Sequence, residues 1–320
     1  MNIIYILLFA FINSSPSFLR TSQIIKSDPL EPFHNFSNIY FKFGTSLEPK
    51  PEKKEKGGED ALYASKNMIA VADGVGGWLD QGIDPAEYSY NLVDTAKLYF
   101  KTLPEQYAKD PSKLAKLTGM TNTYKGSSTL VICTLYQKKL NTTLVGDSGY
   151  MIFNVELKNM PNDKGSSFIY DLKFKSEAQQ HGYNYPFQFG TGGDDPKKSL
   201  ISKSHPINAG SVVIVYSDGV SDNLFPHQIR QILNNYIQEL KVQTGIQLRD
   251  FIPVFDPKEL ANRIKNEAFK KSLNKTYVSP FSAYSLDFGI MFNGGKSDDI
   301  SVVVALIDFV PIQTPETVPQ

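Results

Sequence analysis

Met68-Ile69-Ala70-Val71-Ala72-Asp73-Gly74 is an apolar run too short for a helix, and it stops on an acid followed by glycine. Such a run reads as a buried strand, and the Asp-Gly pair as the point where the chain leaves the core. Three more runs repeat the arrangement. Thr143 to Gly146 leads into Asp147-Ser148-Gly149, Val212 to Tyr216 leads into Asp218-Gly219, and Asp298-Asp299 leads into Ile300 to Ile307. The acid comes last in three runs and first in the fourth, as antiparallel neighbours would show if all four acids gathered at one sheet edge. Any one Asp-Gly alone reads as a turn, but four acids on strand ends make a cluster. Clustered carboxylates repel unless positive charge sits among them, so the pattern points to hard divalent cations. An EF-hand is excluded, because no D-x-[DN]-x-[DN]-G run closes on a glutamate.

A fifth acid joins from the other side. Gly57-Gly58-Glu59-Asp60 introduces Ala61-Leu62-Tyr63-Ala64, and Lys66-Asn67 separates that run from Met68. The pattern predicts a β-hairpin that brings Asp60 and Asp73 to the same end. Further strands are expected at Ser127 to Tyr136 paired with Leu140 to Gly146, then at Tyr150 to Val155 and Phe168 to Phe174.

Asp84-Pro85-Ala86-Glu87 is a helix start, with a capping acid and proline at the first helical position, followed by Tyr88, Leu92, Ala96 and Tyr99. The same device recurs at Asp256 to Glu259, ahead of Leu260, Ile264 and Ala268. A third helix begins near Pro226, with Ile229, Leu233, Tyr236 and Leu240 on its apolar face. Strands and helices without strict alternation predict an α+β fold, antiparallel sheets packed by helices on the outside. Lys175 to His205 has little period and is expected to form an irregular flap.

Bulk properties narrow the function. Of 320 residues 41% are hydrophobic, enough for a sizeable core, and 33 basic residues balance 33 acidic ones. No net field argues for nucleic acid or an anionic membrane as partner, and a monomer is expected. The single cysteine, Cys133, lies in an apolar run and reads as a small buried hydrophobe. No arginine follows it closely, so a cysteine-based phosphatase is excluded.

Ile3 to Ile12 is too short to span a bilayer but suits a signal peptide, and Ser15-Pro16-Ser17 offers small residues for cleavage. Residues 1-17 are therefore a candidate targeting segment, with 18-40 expected as a mobile lead-in, 41-310 as the folded domain and 311-320 as a tail. No stable membrane span is expected in the mature chain. Triplets beginning at Asn35, Asn141 and Asn274 match the glycosylation pattern of the secretory route.

In order along the chain stand GGEDA (57–61), ADGVGGW (72–78), GSSTL (126–130), GDSG (146–149), SDGVSDN (217–223) and GGKSDDISVVV (294–304). This set resembles the metal-dependent serine/threonine phosphatases of the protein phosphatase 2C (PPM) family. EAQQHGYNYPFQFG (177–190) and YVSPFSAY (277–284) resemble its branch of mitochondrial and plastid homologues, which includes the T-cell activation phosphatase. The resemblance runs from about Gly44 to Ile307. It implies one domain of two antiparallel sheets packed face to face with helices outside each, acting on phosphoprotein with two or three Mn²⁺ or Mg²⁺ ions.

The resemblance carries roles to particular residues. Asp73 would bridge two ions, the carbonyl of Gly74 would bind one, and Asp218 and Asp298 would hold the other. Asp60, with Glu59, would reach the metals through water, and Asp299 would support them. Asp147 and Asp222 match a third, weaker metal site. Two departures stand out: Val75 replaces a histidine proposed as general acid, and Glu55 replaces a phosphate-holding arginine, which sets a catalytically weak, metal-binding phosphoprotein scaffold as the alternative to an active phosphatase. His181 is the candidate substitute acid, against an ordinary structural histidine; Lys54 and Lys56 are candidate phosphate ligands, against a solvated face. The branch implies a mitochondrial location as the alternative to the secretory one.

Overall fold

In a computed structural model, the structure describes residues 25–31, 34, 36–159, 166–244, 248–249 and 252–310. The expected hairpin is formed by Asp60–Ser65 and Met68–Asp73, and Asp60 pairs directly across from Asp73. The strands of the two main sheets are numbered along the chain: β1 Ile25–Asp28, β2 Ile39–Glu48, β3 Asp60–Ser65, β4 Met68–Asp73, β5 Leu130–Tyr136, β6 Lys139–Val145, β7 Gly149–Asn159, β8 Ser166–Lys175, β9 Ile201–Pro206, β10 Val212–Tyr216 and β11 Ile300–Phe309. One sheet has the order β1-β3-β4-β5-β6-β9, the other β2-β11-β10-β7-β8.

The sheets are packed face to face. Leu62, Ile69, Val71, Val131 and Cys133 of the first sheet meet Val213, Val215, Val303 and Ala305 of the second in one buried cluster. Alternate residues on the same strands point outward into two further cores. Ala61, Tyr63 and Ala70 pack under the helices α1 Pro85–Thr102, α2 Pro104–Lys109 and α3 Pro111–Thr121. Val212, Ile214, Val302 and Val304 pack under α5 Pro226–Thr244 and α6 Pro257–Ser272, which follow the short α4 Asp218–Ser221. With both faces covered, strands read as continuous apolar runs rather than alternating ones. Asp84 and Asp256 cap α1 and α6, each accepting from a backbone N–H two residues on.

Several expectations change. Part of the mobile lead-in is a strand: β1 pairs parallel with β3, and Asp28 receives Lys101 of α1 at 2.6 Å. The expected irregular flap contains an edge strand, β9, paired antiparallel with β6, and a small ribbon of Gln180–Gly182 with Tyr185–Pro186. Polar residues on a half-covered edge strand hide its period. Asn141 is 7% exposed and its amide donates to the Ala108 carbonyl at 2.9 Å, so that triplet is not open to glycosylation. The candidate targeting segment 1-17 and the tail 311-320 lie outside the described residues. Among the described residues no helix is long and apolar enough to cross a membrane.

Candidate metal centre

The acids sit where strands of both sheets end. Asp60 opens β3 and Asp73 closes β4; Asp218 opens α4 directly after β10, and Asp298 and Asp299 lead into β11. Antiparallel pairing of β10 with β11 places Tyr216 opposite Val302, which brings both acidic ends to the same edge. Asp147 follows β6 through Gly146, whose φ of +96° suits glycine. A Cβ there would also lie 2.6 Å from the Phe187 carbonyl.

Hydroxyls lock the acids in place. The Asp73 backbone N–H donates to the Thr129 hydroxyl at 3.1 Å, and Ser128 donates to the Asp73 carbonyl at 2.8 Å. Thr129 in turn meets the Ser148 hydroxyl at 2.7 Å, which ties the GSSTL and GDSG segments together. Ser217 donates to Asp60 at 2.7 Å and accepts from the Ser301 N–H at 3.0 Å, linking the two sheets. Asp299, 2% exposed, accepts the N–H groups of Lys50 and Glu59 at 2.6 and 2.7 Å. It anchors the loop ahead of β3.

Two lysines answer the negative charge. Lys296 places its ammonium 2.6 Å from Asp218, 2.7 Å from Asp222 and 3.0 Å from Asp298. Lys53 lies 2.5 Å from Glu59 and 3.8 Å from Asp299. Burial works to raise the Asp218 carboxyl, yet the Lys296 ammonium overcomes it and holds Asp218 below the usual range. Burial would lower Lys296, but Asp218, Asp222 and Asp298 hold it well above its ordinary value. Asp60 and Asp73 are pushed up, first by burial and then by neighbouring acids. Asp147 is pushed up to about 7 by burial and by Asp218, despite the Gln180 amide that donates to it at 2.9 Å.

One oxygen each of Asp60 and Asp218 is buried without any hydrogen-bond partner. A buried carboxylate oxygen without a donor is costly, and a divalent cation satisfies it. The donor set is all oxygen, which fits Mg²⁺ or Mn²⁺ rather than zinc. Among the described residues no three His, Cys, Asp or Glu side chains are already drawn in to ligand geometry. The oxygens around Lys296 stand wider than the about 2.1 Å of a magnesium–oxygen bond.

The remaining candidates behave differently. Lys54 is 72% exposed and lies 3.8 Å from Glu48, and Lys56 is exposed at the end of the same turn. Pro51–Lys56 is a 3₁₀ helix rather than a loop, and it turns Lys53 inward instead. His181 stacks on Phe187 with ring centroids 3.9 Å apart and meets Asp194 at 3.0 Å; its neighbour Gln180 is the residue that reaches the acids. Val75 donates its N–H to the Ser127 carbonyl, and the Trp78 indole donates to the Ser127 hydroxyl at 2.5 Å. Lys53, Lys296 and Ser217 received no role from the sequence. Lys296 stands two residues before Asp298, and that spacing was the available signal.

No family model matches the chain. "Probable protein phosphatase 2C 55" of Arabidopsis thaliana is 31% identical over 268 residues, 82% of this chain and 51% of the relative. A "Protein phosphatase PTC7 homolog" of Danio rerio is 26% identical over 299 residues, 85% of this chain and 90% of that one. The chain spans about half the length of the first curated relatives it matches. Among solved structures, the photosystem II phosphatase PBCP matches with a TM-score of 0.69 at 25% identity, over 84% of this chain and 100% of that one. The catalytic domain of the serine/threonine phosphatase PstP, in complex with 2 manganese ions, shares the fold with a TM-score of 0.53 at 13% identity, over 84% of this chain and 99% of that one. With the acids in this order on the ends of two packed sheets, and a relative of that name matched across 82% of the chain, the protein belongs to the metal-dependent protein phosphatase 2C (PPM) family.

Proposed function

We propose that the protein is a serine/threonine phosphoprotein phosphatase that hydrolyses its phosphomonoester in a single step at a binuclear Mn²⁺ or Mg²⁺ centre. Asp73, the Gly74 carbonyl, Asp218 and Asp298 would hold the two ions, with Asp60 in outer contact. Asp147 and Asp222 are the ligands of a third, weaker site. When bound, the ions supply charge for the phosphoryl oxygens and acidity for an attacking water. Asp60 and Asp73 would orient that water by accepting its hydrogen bonds, and the apolar Val75 offers no proton. Lys53, rather than Lys54 or Lys56, is the cation that would face the phosphate from the 3₁₀ helix ahead of β3.

The observation that supports this reading most directly is the pair of buried, partnerless oxygens on Asp60 and Asp218, inside a cluster of acids drawn from both sheets. The test is Mn²⁺-dependent phosphate release from a phosphothreonine peptide by wild type, Asp73→Asn and Asp218→Asn at matched folding. The expected loss in each variant is at least about 10²-fold. Wild-type turnover no higher than that of the variants would overturn the reading.

Residues 41-310 are taken as the catalytic unit and 1-17 as a targeting segment. The apolar Ile3 to Ile12 favours the secretory route over the mitochondrial one. A reporter fused behind residues 1-17 that stays in the cytosol would remove both assignments.

A further inference from the structure

The Lys296 side chain is 13% exposed, and its ammonium uses one oxygen each of Asp218, Asp222 and Asp298. Its backbone is clamped on both sides by the buried Asn223, which accepts from the Lys296 N–H at 3.0 Å and donates to its carbonyl at 2.8 Å. The ammonium also lies 4.9 Å from the centre of the Phe281 ring. This lysine is therefore positioned by the fold rather than adrift in a charged cleft.

Two of its three partners are acids assigned to the second ion, and the third belongs to the weaker site. An ammonium and a divalent cation cannot share those oxygens, because at about 3 Å their charges repel strongly in a dry site. The Asp60 side of the cluster differs. Asp60 and Asp218 each keep one partnerless oxygen, but the other Asp218 oxygen is held by Lys296, whereas no lysine contacts Asp60 among the described residues.

We infer that Lys296 is a resident cation that competes with a divalent ion for Asp218, Asp222 and Asp298. This rests on the metal-dependent reading above. One ion then loads freely between Asp60, Asp73 and Gly74, and the next must push the ammonium out. A cavity of about 340 Å³, lined by Asp147, Asp222, Phe281 and Tyr284 among others, shares Phe281 with the lysine and gives the displaced amine room.

The test is calorimetric titration of the full chain with Mn²⁺ alone. Wild type should bind one ion tightly and the next weakly, and Lys296→Met should tighten the second step by about tenfold or more. Lys296→Arg, which keeps the charge, should leave the second step weak. A second measurement uses wild type only: acylation of lysines read by mass spectrometry. Lys296 should be protected in chelator and become reactive as Mn²⁺ fills the second step, while Lys53 is unchanged. A second step within about twofold of wild type in Lys296→Met would overturn the inference, as would Lys296 labelling that ignores Mn²⁺ while two ions bind. Absence of Mn²⁺ binding in wild type and Asp73→Asn alike would overturn the metal-dependent reading, and this inference with it.

Discussion

Ser217 carries more of the site than its size suggests. Its hydroxyl is fully buried, donates to Asp60 and accepts from the Ser301 N–H, so one atom joins β3 to the start of β11. Ser217→Ala leaves a buried N–H and a buried carboxylate oxygen without partners, and should cost about 1–3 kcal/mol in chemical denaturation. A cost under a few tenths would mean that water replaces the hydroxyl. The acids at strand ends were legible in the sequence because each follows or precedes an apolar run, a pattern with a physical cause, whereas Asp222, at the end of a four-residue helix, came only from the resemblance. The lysines were not. Lys53, Lys54 and Lys56 are chemically alike, and only the handedness and pitch of a six-residue 3₁₀ turn select the one that faces Glu59.

At the scale of elements, Gly44 of β2 shows how tightly the outer helix sits. A Cβ at this position would lie 2.1 Å from the Lys258 backbone nitrogen and 2.5 Å from the Pro257 carbonyl carbon. Backbone cannot yield as a side chain does, so Gly44→Ala should push α6 off the sheet and destabilise by about 1–3 kcal/mol or more. Unchanged thermal unfolding would contradict this packing. The edge strand β9 supplies a pH-sensitive contact. Its His205 meets the Tyr150 hydroxyl at 2.9 Å and lies on Phe174. Burial, then the Lys203 charge, holds its pKa below the ordinary value. The unfolded chain takes up that proton more readily, so this contribution to stability is full above about pH 6.5 and is lost as the pH falls through the folded value. Between about pH 7.5 and 5.5, wild type should therefore lose more stability than His205→Gln in urea titrations. Equal losses would remove His205 as the cause. The hairpin β3-β4 and the helices α1, α5 and α6 were legible from period and caps. Strands β1 and β9 were not, since β9 is half solvated and β1 depends on its partner β3 rather than on its own residues.

For the whole molecule, the layers explain why the site lies where it does. The central strands of each sheet bury both faces, so the polar groups that chemistry needs lie at the strand ends, and the central sandwich brings two sets of ends to one edge. Carboxylates from both sheets then face one another, and only cations resolve their repulsion. Lys296 supplies one such charge, and the partnerless oxygens of Asp60 and Asp218 call for more. Anomalous scattering at the manganese edge, from crystals grown with Mn²⁺, tests this claim most directly. The account predicts two strong peaks bridged by Asp73, one toward Asp60 and the Gly74 carbonyl, the other toward Asp218 and Asp298. No peak in contact with Asp73, in crystals that retain the fold, would contradict it.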